Sequence, residues 1–197
     1  MSTSDAFNNE TRDSFFNAIR DGNVAEVEAA IARTPALLEA EDEQAKTGPL
    51  HLAAEGGHVA LVDLLLKHMH VDTRDSKGRT PLMTAVTKDQ APTAMQLVER
   101  GADINAKNKF GMSVIAAALV LRSNGVRSGM PGAPAVAYLL DKGASIDTPA
   151  TPRGETVIQF ADRLDDGEVL EIFREKRPDV MKDFKPGTHD RPNAFDI

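Results

Sequence analysis

The chain has 197 residues, an apolar fraction of 41% and a net charge of −7, from 23 Lys plus Arg against 30 Asp plus Glu. That length holds one domain and falls short of two ordinary ones, and the acidic excess disfavours nucleic acid and anionic lipid as partners. The absence of cysteine removes disulfides, thiolate metal sites and cysteine nucleophiles together.

With eight Phe, one Tyr and no Trp, the core must be largely aliphatic, built of many small similar layers rather than one aromatic centre. Met1–Arg12 is polar and lacks a basic start followed by an apolar run, so no secretory signal is expected. No stretch approaches about 18 consecutive apolar residues, so no membrane span is expected either. These features predict a soluble cytoplasmic protein with a disordered tail over residues 1–12.

From residue 13 the pattern is helix, turn, helix. Phe15, Ala18, Gly22-Asn23, Val27 and Ile31 keep that spacing, with Asp13 and Ser14 at its start. An acidic run, Glu39, Glu41, Asp42 and Glu43, then reads as an exposed turn. Gly48-Pro49-Leu50-His51-Leu52-Ala53-Ala54 with Gly57-His58 follows, and Val59, Val62, Leu65 and Leu66 point inward from a second helix. Thr80-Pro81-Leu82-Met83-Thr84-Ala85 restarts the pattern 32 residues after Gly48, and Ser113-Val114-Ile115-Ala116 restarts it 33 residues after Thr80. Thr80 is placed to cap a helix and Pro81 to occupy its first position. Gly57, Gly101 and Gly143 suit left-handed helix stops, and Gly78, Gly111 and Gly154 suit the turns between repeats. A last unit runs from Gly154 through Thr156, Val157, Ile158 and Phe160 to Val169, Leu170, Ile172 and Phe173. Its polar residues, Asp162, Arg163, Asp165, Asp166 and Glu168, suit an end repeat with one side in water.

The period and the T-P-L-H-x-A pattern resemble the ankyrin repeat, a turn plus two short helices. The resemblance implies an all-α ankyrin-repeat solenoid of about five helix–turn–helix repeats with hairpin-like turns. The repeats are placed at about 13–42, 43–74, 75–107, 108–149 and 150–178, with a C-terminal extension over 179–197. Repeat four departs from the pattern. Thr80 to Gly101 is 21 residues, whereas Ser113 to Gly143 is 30. The extra residues are expected as a loop over Arg122–Ala133, after which Pro134 opens the second helix. That loop is either a tolerated insertion or a partner-contacting finger.

Chemistry is sparse. His51 and His58 stand at the family's usual histidine places, which implies hydrogen bonds tying turns together. His68-Met69-His70 is read as a solvated helix end, because a metal needs three or four converging ligands and only Asp72 is near. No G-x-S-x-G, G-x-x-x-x-G-K-[ST] or H-E-x-x-H motif is present. No cofactor, no metal site and no enzyme activity are expected.

The resemblance implies a protein partner bound along the concave side, made of turn tips and first helices. Repeat four again stands apart. Phe110 and Met112 occupy a tip that should be wet, and Val120 and Leu121 replace polar residues on the groove side. Lys77, Arg79, Lys88, Lys109 and Arg122 would rim this apolar centre, which suits an acidic-rimmed partner. The expectation is a protein-binding adaptor or inhibitor, monomeric when free. An immunity or antitoxin-type protein that neutralises a toxic enzyme is the alternative, and an enzyme the remote one.

Overall fold

The computed structural model describes residues 8–43, 46–123, 133–147, 149–185 and 187, with side chains at all of these except 120–123 and 133–134. The described residues are helical, with two isolated antiparallel bridges, Lys107 with Ser113 and Pro149 with Thr156, as their only β pairing. The chain divides into two compact units, Met1–Asp103 and Ile104–Ile197.

The first unit stacks three helix pairs: α1 (Asn9–Arg20) with α2 (Val24–Arg33), α3 (Pro49–Glu55) with α4 (Val59–Leu65), and α5 (Pro81–Thr87) with α6 (Ala91–Glu99). A 3₁₀ turn, Pro35–Glu39, follows α2. The first helices pack as one row, α1 on α3 on α5, and the second helices as another, α2 on α4 on α6. Leu50, Ala53, Leu61, Val62, Leu65, Leu82, Ala85 and Leu97 are fully buried between the rows. Alanines at 53, 54 and 85 let the helices approach closely, so dispersion contacts come from many small groups.

The second unit repeats the arrangement with α7 (Val114–Ser123), α8 (Ala133–Asp141), α9 (Val157–Arg163) and α10 (Gly167–Lys176). Here α7 lies on α9 and α8 on α10, and a short α11 (Pro178–Met181) rests on α10.

Caps set where the helices begin. Thr80 Oγ1 accepts the N–H of Met83, Ser113 Oγ that of Ala116, and Asp166 that of Val169. Thr156 and Gln159 form a reciprocal capping box. Proline opens α3 and α5. The expected left-handed glycines are present, with φ of +72° at Gly57, +86° at Gly101 and +92° at Gly143.

Two boundaries differ from expectation. α1 begins at Asn9, so residues 9–12 are helix rather than tail. Asn8 is the cap, with its side chain accepting the Thr11 N–H, and no Gly or Pro interrupts the run that follows. Arg12 Nη2 then reaches Glu43, 2.6 Å away. In repeat four, α7 spans ten residues where α3, α5 and α9 span seven, and α8 opens at Ala133. Arg122 and Ser123 are therefore helical, because no glycine stands where Gly56-Gly57 stops α3. The rest of the expected loop, residues 124–132, lies outside the described residues.

The ends carry polar side chains. Beside α1 and α2 lies an open groove of about 550 Å³ lined by Glu10, Asp13, Asn17, Asp21 and Glu26 among others. At the other end of the chain Arg163 lies over the Phe160 ring, 4.9 Å from its centroid, and Asp162 accepts the Gly187 N–H. The C-terminal extension thus begins as a helical turn whose Met181 is buried. The rest of the extension, residues 186 and 188–197, lies outside the described residues.

Candidate protein-binding site

At the third, fourth and fifth repeats the opening turn folds around a polar side chain at its first position, which accepts backbone N–H groups that would otherwise lack partners. At the third repeat this residue is Asp75. One carboxylate oxygen accepts the N–H groups of Lys77 (2.9 Å) and Arg79 (2.8 Å), and the other accepts Arg79 Nε (2.7 Å). Burial by itself would raise the Asp75 pKa. The backbone and guanidinium bonds from Arg79 outweigh it and hold the carboxyl below its ordinary range. At the fourth repeat Asn108 does the same work with an amide oxygen, accepting the N–H groups of Phe110 (2.9 Å) and Met112 (3.0 Å). At the fifth, Thr151 Oγ1 accepts the Glu155 N–H. Glu155 pairs with Arg163 at 2.7 Å. Its pKa would be raised by burial, but the Arg163 bonds bring it below the ordinary value. At the second repeat Asp42 is buried and takes the Arg20 guanidinium.

Histidines join neighbouring repeats. His51 Nε2 donates to the Arg79 carbonyl at 2.8 Å, and burial lowers its pKa, so the ring is held neutral. His58 Nε2 donates to the Arg20 carbonyl at 2.9 Å. Both are the turn-tying roles expected of them. His70 Nδ1 accepts the Asp72 N–H, and the Asp72 carboxylate accepts the Asp103 N–H, so this stretch closes a loop.

The expected partner-binding residues divide between the two units. In the first, Lys77 is exposed on the 75–79 tip, while Arg79 is half-buried and bound to Asp75. Lys88, at the end of α5, is exposed with Nζ 2.6 Å from Glu55. In the second, Lys109, Phe110 and Met112 share one tip. Lys109 is exposed and Met112 half-buried. Phe110 is 59% exposed, a large ring turned to solvent. Val120, Leu121 and Arg122 lie on the last turns of α7, and their side chains are outside the described residues. Asp42, expected in an exposed acidic turn, is instead buried, because Arg20 pairs with its carboxylate. The residues that sequence reasoning passed over are the anchors Asp75 and Asn108, although Asp or Asn four residues before the end of a Gly-containing turn marks a side-chain-closed turn.

Helix pairs stacked in two rows, left-handed residues at helix stops such as Gly57, Asp89, Gly101 and Gly143, and histidines bonded to the neighbouring turn define a repeat protein of one class. A family model described as ankyrin repeats (3 copies) matches residues 14–108, and the chain belongs to the ankyrin-repeat family. It is similar to NF-kappa-B inhibitor delta of Mus musculus, 34% identical over 104 residues, which are 51% of this chain and 32% of that protein. It is similar also to the transient receptor potential cation channel subfamily A member 1 homolog of Caenorhabditis elegans, 29% identical over 140 residues, 71% of this chain and 11% of the channel. Rabankyrin-5 of Homo sapiens is 33% identical over 97 residues, 47% of this chain and 8% of that protein. The chain therefore spans about a third or less of the length of each of these relatives. Ankyrin repeats are protein-binding modules. Among the described residues no helix is long and apolar enough to cross a membrane.

Proposed function

We propose that this protein binds another protein, as an adaptor or inhibitor rather than an enzyme, and that Phe110 is an anchor of the contact. The observation that carries the reading is a Phe ring 59% exposed on a turn whose backbone is pinned by two Asn108 bonds. An aromatic side chain held out on a rigid turn loses little entropy when covered, and interface energy concentrates in such anchors. The inhibitory sense is supported by the mouse relative, whose name describes an inhibitor.

The test is capture from the native lysate by wild type and by Phe110→Ser side by side. Phe offers about 200 Å² of surface, so the open part is roughly 120 Å². At about 25 cal/mol per Å², covering it contributes about 3 kcal/mol. The variant is expected to lose the captured protein at unchanged melting temperature, since the lost ring already faces water. Equal capture by Phe110→Ser, or a lowered melting temperature, sinks the reading.

A further inference from the structure

We propose that Lys46 and Lys77, on the joined tips of repeats two and three, form a cationic docking point for an acidic segment of a partner protein. Both residues belong to the first unit, and the docking point does not depend on Phe110.

Lys46 breaks the rule of its own position. Four tips close by the same bond, in which an N–H near the end of the turn donates back to a carbonyl at its start. Gly78 donates to the Asp75 carbonyl at 2.8 Å, Gly111 to that of Asn108 at 3.0 Å and Gly154 to that of Thr151 at 3.0 Å. In repeat two the donor is Lys46, whose N–H reaches the Asp42 carbonyl at 2.8 Å. All four donors are left-handed, with φ of +72°, +79°, +76° and +52° in that order. Glycine adopts this conformation freely, whereas a Cβ is brought too close to the following carbonyl. Asp89 and Asp165 also have positive φ, at +57° and +55°, but a short polar side chain eases the conformation by bonding locally. A lysine side chain has no such means. Nothing inside the protein compensates for the strain. Lys46 is exposed, and its side chain bonds no other described residue. Its link to the next repeat, from Ser76 Oγ to the Lys46 carbonyl at 3.2 Å, uses backbone that glycine would offer equally. A local rule broken without internal compensation points outward, to what the side chain meets.

The Ser76–Lys46 bond joins the two tips, so Lys46 and Lys77, the residue after Ser76, stand on neighbouring turns. Lys77 is exposed, and its ammonium likewise has no partner among the described residues. Arg74 is exposed at the start of the second tip, with Nη1 on the Gly78 carbonyl at 2.8 Å. The acids of these turns are largely spoken for. Asp42 and Asp75 are buried with Arg20 and Arg79, and Glu43 holds Arg12 Nη2 at 2.6 Å. Within residues 41–47 and 74–79 this leaves Glu41 against Lys46, Arg74 and Lys77. The local balance is therefore positive after every ion pair is counted. A partner segment that crosses both tips meets two unpaired ammonium groups, which attract Asp and Glu and repel Lys and Arg.

The experiment titrates the full chain, labelled with nitrogen-15, with an end-capped tetraglutamate peptide and with tetralysine as control, and follows backbone amide shifts. The buffer holds about 0.15 M salt, which screens the distant part of the net charge of −7 beyond about 8 Å. Tetraglutamate is expected to shift the amides of Lys46, Ser76 and Lys77 saturably, and tetralysine to leave them in place. Lys46→Gly and Lys77→Ser are each expected to weaken tetraglutamate about fivefold, the loss of one close charge pair in water. Lys46→Arg, which keeps both the charge and the strain, is expected to bind as wild type does. Urea unfolding of Lys46→Gly is expected to show a midpoint no lower than that of wild type, since glycine relieves the strained conformation. A lowered midpoint would mean that the side chain serves the fold, and overturns the proposal. So does the absence of saturable shifts at the three amides up to about 10 mM tetraglutamate, or equal shifts there with tetralysine. Undiminished affinity in Lys46→Gly or in Lys77→Ser overturns it as well.

Discussion

Gly56→Ala should destabilise the protein, against the usual direction for such a change. Gly56 ends α3 at φ −77° and ψ −8°, a conformation open to alanine. Replacing glycine there should stabilise by about 0.4–1 kcal/mol, because the unfolded chain loses freedom. The structure places the His58 ring in the way: a Cβ on Gly56 would lie 2.5 Å from His58 Cδ2 and Nε2. The ring is not a loose end, since Nε2 donates to the Arg20 carbonyl at 2.9 Å and so binds the second repeat to the first. Moving it costs that bond, about 1 kcal/mol, and leaves a part-buried carbonyl without its donor, about 1 kcal/mol more. The difference is a net loss of about 1 kcal/mol. Removing the ring as well reverses the sign, so Gly56→Ala in a His58→Ala background should stabilise by about 0.5–1 kcal/mol. Urea unfolding followed by far-ultraviolet circular dichroism on wild type, both single variants and the double variant measures the coupling. If Gly56→Ala stabilises in both backgrounds, the ring does not hold that space and the reasoning fails.

Gly48→Thr should stabilise by about 1 kcal/mol, by reducing unfolded-state freedom and adding a helix cap. Gly48 has φ −85°, and the nearest atoms to a new Cβ are at ordinary contact distances of 3.9 and 4.0 Å; a lowered urea midpoint would contradict this. Thr80→Ala should cost about 1 kcal/mol in the same assay, because it leaves the buried Met83 N–H without its acceptor. Stability should fall on acidification in two stages. The folded-state pKa of His51 is depressed, so its contribution is complete above the unfolded value of about 6.5 and is lost as pH falls below it. Asp75 and Glu155 are also depressed, and their contributions are present above the unfolded carboxylate values and lost as pH falls through the folded ones. His51→Gln, which keeps a donor for the Arg79 carbonyl, should flatten the melting-temperature profile between about pH 7 and 5; an unchanged slope assigns that stage elsewhere.

Local features were legible in the sequence where one short segment decides them. Thr80 reads as a cap, and the stops at Gly57, Gly101 and Gly143 are visible, because each needs only its own conformation and its immediate neighbours. The start of α1 was missed because the Thr-Pro template drew attention to Asp13 and Ser14, while Asn8 supplied the cap. The extra turn of α7 was missed because an insertion measured only by length says nothing of how it is shared between helix and loop. Arg79 and Lys88 were taken for rim cations from their positions. Their neighbours in the fold, Asp75 and Glu55, give both a partner within the first unit.

The candidate site illustrates why repetition both helps and misleads. A template aligned across repeats shows which positions match, and so points to Phe110 as an intruder at a tip. It also invites the assumption that matching positions do matching work. Asp75 and Asn108 match in place and in hydrogen bonding, yet one buries a charge with Arg79 and the other buries none. The exposed residues of the two tips stand on turns closed by the same pair of backbone bonds. Two turns closed by the same pair of backbone bonds can thus differ in what the closing side chain holds, a carboxylate bound to Arg79 at position 75 and an uncharged amide at position 108.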